Sequence, residues 1–278
     1  MISWLIAPLS YAFMGRGLLA AVMVGILCSV IGCYVVLRSM AFLGDAMAHA
    51  ILPGIAIAYL VNGNLTVGAL VAALIIALGI GFFTRQGAIK EDTAIGILFT
   101  AALALGVALI STIRTYAVDL SHILFGNLLG VSPSDLALIG GIALLVLVTV
   151  LACYKQFMVI SFDPVLAATL RLPTELLRNL MLVLLALTIV VSMQTVGVGL
   201  VAAMLVTPPA TAYLLTRRLS SMMIISAGLG GMSSIIGLYV SYYANIASGP
   251  AIVLTATVFF LSAFLAKPLL AKRHIQQR

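Results

Sequence analysis

Stretches of about 20 residues almost free of charge succeed one another along this chain, and that length is what an α-helix needs to cross a hydrocarbon layer about 30 Å thick. They fall near residues 17–37, 41–62, 65–84, 94–113, 135–154, 177–195, 197–216, 222–244 and 250–267 of the 278. Water is absent from a bilayer core, so backbone N–H and C=O groups must pair within the segment, and a continuous apolar run there has to be helical. Composition agrees: 64% of the residues are apolar and 8% are charged, against roughly a quarter charged in a soluble domain. The expected fold is all-α, a polytopic transmembrane bundle of about eight or nine spans, in a single transmembrane domain over residues 1–278. One division is open. Around "MQTVGVGL", residues 193–200, Gln194, Gly197 and Gly199 interrupt an apolar run, and a short loop or a broken helix both fit.

The basic residues assign a side to each loop. Of the 14 lysines and arginines, all but Arg16 and Arg114 fall on one side of the nine-span arrangement. Cytoplasmic loops carry the excess of positive charge, so the amino terminus is expected outside and the carboxyl-terminal "KRHIQQR" in the cytoplasm. The formal charge of +7 then needs no nucleic-acid partner. The opening "MISWLIAPLSYAFMG" has no positive charge ahead of its apolar residues and contains Pro8, unlike a cleaved signal peptide. With Trp4 and Tyr11 as interfacial aromatics, it is expected to lie along the outer surface, against lipid, before the first span. Cys28, Cys33 and Cys153 match no zinc or redox spacing and are expected to serve packing.

One predicted loop is long enough to hold structure of its own: "YKQFMVISFDPVLAATLRLPTELLRN", residues 154–179, on the cytoplasmic side. Asp163 can cap a helix whose first residue is Pro164, where a missing N–H does no harm, and Pro173 steers Leu172 away from helix. The short apolar helix between them is either a lipid-facing element or a knob for a soluble cytoplasmic partner. The chain has no GxxxxGK[ST] loop, so any ATP it exploits would be bound by another protein.

"RSMAFLGDAMAHAILPG", residues 38–54, places Asp45 and His49 four residues apart within the second span, on one helical face. Counting along a helix from Arg38 puts them about 10 and 16 Å into the membrane. Ionisable groups at such depth are costly and tend to mark a path or a site. A carboxylate oxygen and an imidazole nitrogen suit Mn(II), Fe(II) or Zn(II) better than Mg(II) or Ca(II). Two donors are too few for a transition metal, and a twofold dimer with this face on its axis would supply four. Pro53, directly after the pair, loosens the helix there, and Pro208 and Pro209 in "LVTPPATAYLLTRR" predict a kinked or unwound pathway helix. "YAVDLSHILFGNLLG", residues 116–130, offers Asp119, His122 and Asn127 as a second, outer-side metal path. Gly25, Ser29 and Gly32 are expected to let helices approach closely.

"RSMAFLGDAMAHAILPG", "SHILFGNLLG", "SFDPVLAATLRLP", "AMLVTPPATAYL" and "GPAIVLTATVFFLSAF" occur in an order and spacing that resemble the metal-ion permeases of bacterial ABC importers, over nearly the whole chain. The resemblance implies a homodimer in the bacterial inner membrane with two cytoplasmic ATPase subunits and an extracytoplasmic metal-binding protein. It implies that the transported metal (manganese, iron or zinc) is bound by Asp45 and His49, that ATP is bound by the partner, and that no cofactor is held permanently. It also makes the loop at about 155–176 the ATPase-coupling element, with Phe162, Asp163, Pro164, Ala168, Leu172 and Pro173 in it. The chain departs from its relatives at Ala48, where many carry a hydroxyl, and at Arg171, where many carry glycine. The "SHILFGN" form is more similar to manganese and iron members than to zinc members. Two other classes compete: an ion-coupled carrier, which an inverted repeat would favour, and an intramembrane metalloenzyme, for which three histidines and no HExxH are poor material.

Overall fold

The computed structural model describes residues 11–85, 89–112 and 128–275. Among these residues twelve α-helices follow in chain order: α1 Ala12–Leu37, α2 Phe42–Ala50, α3 Leu52–Leu60, α4 Leu65–Phe83, α5 Glu91–Ser111 and α6 Pro133–Ala152, then α7 Tyr154–Phe162, α8 Pro164–Thr169, α9 Thr174–Val196, α10 Val198–Leu215, α11 Leu219–Ala244 and α12 Ser248–Ile275. Among the described residues there is no strand, and nine segments, with α2 and α3 counted together, are long and apolar enough to span a membrane. The expected spans are therefore present, with one change at the amino-terminal end. The first helix begins at Ala12, so residues 12–16 belong to it and not to a separate surface segment. Residues 1–10 lie outside the described residues.

These helices are apolar all round because their solvent is lipid on one side and protein on the other. On α4 the outward ladder is Val67, Val71, Ile75, Leu78 and Phe82, spaced three or four apart as one helical face requires. On α12 it is Leu254, Val258, Leu261 and Leu265. The interior is built on α1, which packs against α11 and α10, with α12 behind them; α4 and α9 lie against each other, and α2 and α3 pack on α5. Burial of apolar area gives little drive within a hydrocarbon solvent, so close backbone approach and interhelical hydrogen bonds hold the bundle. A Cβ on Gly25 would stand 2.8 Å from the Gly230 carbonyl oxygen of α11. Beside this crossing Ser226 and Ser234 of α11 donate to the Ser29 and Ala21 carbonyls of α1 at 3.0 and 2.9 Å. The small residues of the first span do bring helices together.

Three junctions refine the sequence reading. The α9–α10 division is a single residue, Gly197, at φ 85° and ψ 160°. That region is open to glycine and strained for other residues, which explains why an apolar run with no polar loop can still turn. The second span is two nine-residue helices parted at Ile51, with Pro53 in the first turn of the second, where its missing N–H leaves no bond unmade. Pro208 and Pro209, by contrast, sit buried inside a helix that continues through them, so the expectation of unwinding there is not met. Pro209 packs against Gly32 of α1, so the pair faces the bundle interior at a helix crossing.

Candidate metal path and docking loop

α2 is a short helix fixed at both ends, and this sets the position of Asp45 and His49. Arg38 ends α1, Ser39 turns back at φ 57°, and the Leu43 amide donates to the Met40 carbonyl to start α2 at Phe42. Residues 38–41 are thus a turn and not a helix, so the depths counted from Arg38 are too large. Asp45 lies about 4.5 Å and His49 about 10.5 Å along the helix from Phe42. Asp45 falls in the first turn, where the positive end of the helix dipole favours a carboxylate, and His49 in the last.

Asp45 Oδ1 and His49 Nε2 are 3.7 Å apart, too far for a hydrogen bond. The pair does not satisfy itself. Two donors each about 2.1 Å from one tetrahedral ion stand about 3.4 Å apart, so a small closure would let both bind the same cation. The side chains of His49 and Asp45 are 29% and 47% exposed, on the flank of the chain and not in its interior. Phe99 of α5 stands between Phe42 and His49, edge-on to the first with centroids 5.6 Å apart and 6.3 Å from the imidazole. This aromatic wall was not anticipated; an aromatic within an apolar span carries no signal of its partner. Among the described residues no third histidine, cysteine or carboxylate completes a metal-binding group. Asp119, His122 and Asn127, the expected outer-side path, lie outside the described residues. A groove of about 640 Å³ between α3, α4 and α5, lined by Pro53, Ile57, Gly68, Ala72 and Leu105, has no ionisable group and offers nothing to a metal ion.

The loop before α9 is more structured than expected, because Tyr154–Phe162 forms a helix of its own, α7. Asp163 then caps α8 as predicted, its Oδ1 accepting from the Leu166 amide at 2.9 Å. Leu170 follows α8, and Arg171 has φ 54°, a left-handed conformation that glycine adopts freely. Phe162, Val165, Leu166 and Leu170 are exposed and Ala167 is buried, so the loop presents an apolar surface away from the bundle. Beside it a cleft of about 810 Å³ is lined by Leu172, Pro173, Glu175, Leu176, Asn179 and Val183.

Nine apolar spans among the described residues, one carboxylate–imidazole pair on the second of them and one structured apolar loop are the features of a multi-pass membrane permease. The chain belongs to the ABC 3 transport family, whose pattern it matches over residues 10–267. It is 48% identical over 260 residues to the manganese transport system membrane protein MntC of Halalkalibacterium halodurans, covering 94% of this chain and 89% of that protein. It is 39% identical over 258 residues to the chelated iron transport system membrane protein YfeD of Yersinia pestis, covering 93% and 86%. The structure of PsaBC from Streptococcus pneumoniae in complex with Fab superposes with a TM-score of 0.83 at 40% identity, over 95% of each chain. The chain is accordingly the permease subunit of an ABC transporter in the cell membrane.

Proposed function

We propose that this permease imports a divalent transition metal, manganese first and ferrous iron second, using ATP hydrolysed by a separate subunit. The observation that carries the reading is the Asp45–His49 pair, two unbonded donors 3.7 Å apart on an exposed flank of a membrane helix. A second copy related by a twofold axis along that flank would bring two carboxylates and two imidazoles together. Each pair holds a cation weakly alone and adequately when joined, which suits cargo that must leave again. The relatives named for manganese and iron transport support the choice of metal.

In this scheme one domain over 1–278 does all the membrane work, the exposed loop around Phe162, Asp163, Ala168, Leu172 and Pro173 receives the ATPase, and an extracytoplasmic binding protein delivers the metal. Asp119, His122 and Asn127 would lie on the delivery side, and the amino terminus with them. The path alternates: the dimer-related pairs face one side at a time, and ATP binding and hydrolysis, felt through residues 162–173, change which side.

Affinity for nitrogen and oxygen donors rises from Mn(II) through Fe(II) towards Cu(II), and zinc also exceeds manganese. Zinc is therefore expected to occupy the site, compete with manganese and move poorly. Transport of each metal at matched free concentration, in proteoliposomes holding permease, ATPase and binding protein, decides the matter. Zinc moving faster than manganese would make this a zinc importer instead.

A further inference from the structure

Arg38, Glu91 and Arg178 come together where α1 ends, α5 begins and α9 has completed its first turn. Arg38 Nη2 donates to both carboxylate oxygens of Glu91, at 3.3 and 3.0 Å. The two side chains are only 14% and 21% exposed. Arg38 Nη1 lies 4.0 Å from Met181 Sδ of α9. Arg178 donates to the Gly81 and Thr84 carbonyls at 2.9 and 3.5 Å, caring for groups that the end of α4 leaves unpaired. Burial holds the Arg38 guanidinium below its ordinary pKa, Glu91 pulls the other way, and the like charge of Arg178 adds a smaller push downward. Of these two cations, Arg38 is the one bonded to a carboxylate, and Arg178 is held by backbone carbonyls. Arg178 Nε and Asn179 Oδ1 are buried with no hydrogen-bond partner among the described residues. Buried groups left unpaired are costly, so this junction has an incentive towards a second arrangement.

We propose that the Arg38–Glu91 pair is a latch closing the docking-loop end of the metal path, and that α9 opens it. Arg38 immediately precedes the turn into α2, which carries Asp45 and His49, and Glu91 begins α5, which carries Phe99 against His49. The latch thus ties the turn that leads into the donor helix to the start of the helix packed beside it. A divalent cation moving towards this end meets a guanidinium held in place, and like charges in a poorly solvated setting repel strongly. Once the pair separates, the same cation meets a free carboxylate.

The actuator is α9. It starts one residue after Pro173 of the docking loop, Asn179 packs on Gly81 of α4, and Met181 reaches Arg38. The Arg85–Glu175 pair at 3.1 Å adds a further tie between α4 and α9, but both side chains are more than half exposed, so it contributes little. This inference rests on the reading of Asp45 and His49 as metal donors.

The test uses the permease assembled with its ATPase and binding protein in proteoliposomes. Arg38→Cys and Glu91→Cys are placed together in a background with Cys28, Cys33 and Cys153 changed to alanine, and joined by a reducible bifunctional methanethiosulfonate reagent. Manganese transport is expected to fall at least tenfold on cross-linking and to return on reduction, while manganese still binds the cross-linked permease. Undiminished transport by the cross-linked protein overturns the latch. The exchanged pair Arg38→Glu with Glu91→Arg provides a second measurement: it should transport at least fivefold faster than either single variant, and a double variant no better than the singles also overturns it. Manganese binding by Asp45→Asn examines the underlying reading separately. If that variant binds normally, the donor assignment fails, whatever the cross-link shows.

Discussion

Asp45 and His49 are separated by one helical turn and held by two local devices, the left-handed Ser39 before them and the Ile51 break after them. Their helix is nine residues long, shorter than any that is stable alone in water, so it relies on neighbours to stay in place. Replacing either side chain removes a donor twice in a dimer but lowers polarity within the membrane, so folding should survive. Asp45→Asn or His49→Ala is expected to abolish metal uptake, at least a hundredfold, while the permease still co-purifies with its ATPase. Uptake at the unmodified rate in both variants would remove the pair from the path. Arg171 shows a different use of a single residue. The resemblance led one to expect glycine there, and the backbone at φ 54° shows why glycine would suit. An arginine in that conformation carries about 1–2 kcal/mol of strain that glycine would not, tolerated at the turn between α8 and α9.

Among the elements, α8 depends most on one side chain. It has six residues, too few to be stable by propensity, and its start is fixed by the Asp163 carboxylate. Asp163→Ala should destabilise it by about 0.5–2 kcal/mol, and recovery of the ATPase on purified permease should fall accordingly. Full recovery with normal coupled hydrolysis would mean that α8 only meets lipid. This cap was legible in the sequence because it is local: an aspartate, a proline and a second proline at fixed offsets. The spans were legible for the same reason, since length and apolarity are properties of a segment. α7 was not, because nothing in "YKQFMVISF" separates a helix from the end of the preceding span except the turn at Cys153. Nor was the Arg38–Glu91 pair, whose members are 53 residues apart and meet only where the fold brings the end of α1 to the start of α5. A lone arginine at a span boundary reads as an interface marker, and only its partner makes it anything else. The same limit applied to Phe99 beside His49.

At the scale of the molecule, the bundle has an apolar exterior, a core centred on α1, and polar groups gathered at few places. Arg38, Arg85 and Arg178, assigned to one side by charge alone, do cluster at one end, next to the start of α9. The other end is uneven. α10 and α11 meet at the Thr216–Arg218 corner and run back from it side by side. With 18 and 26 residues, they rise about 27 and 39 Å. At equal tilt α11 therefore overshoots the start of α10 by about 12 Å, and its far end carries the exposed Tyr242 and Tyr243, the aromatics that favour a headgroup layer. The terrain of that face is a low floor at the buried Gly197 turn beneath a ridge made by the α11–α12 hairpin. A ridge is what a reagent in solution touches first. A single cysteine at Ile246, 44% exposed on the hairpin, in a protein otherwise free of cysteine, should be labelled in intact cells by a membrane-impermeant maleimide, whereas one at Val165 on α8 should react only after the cells are opened. The reverse pattern would turn the whole permease over in its membrane.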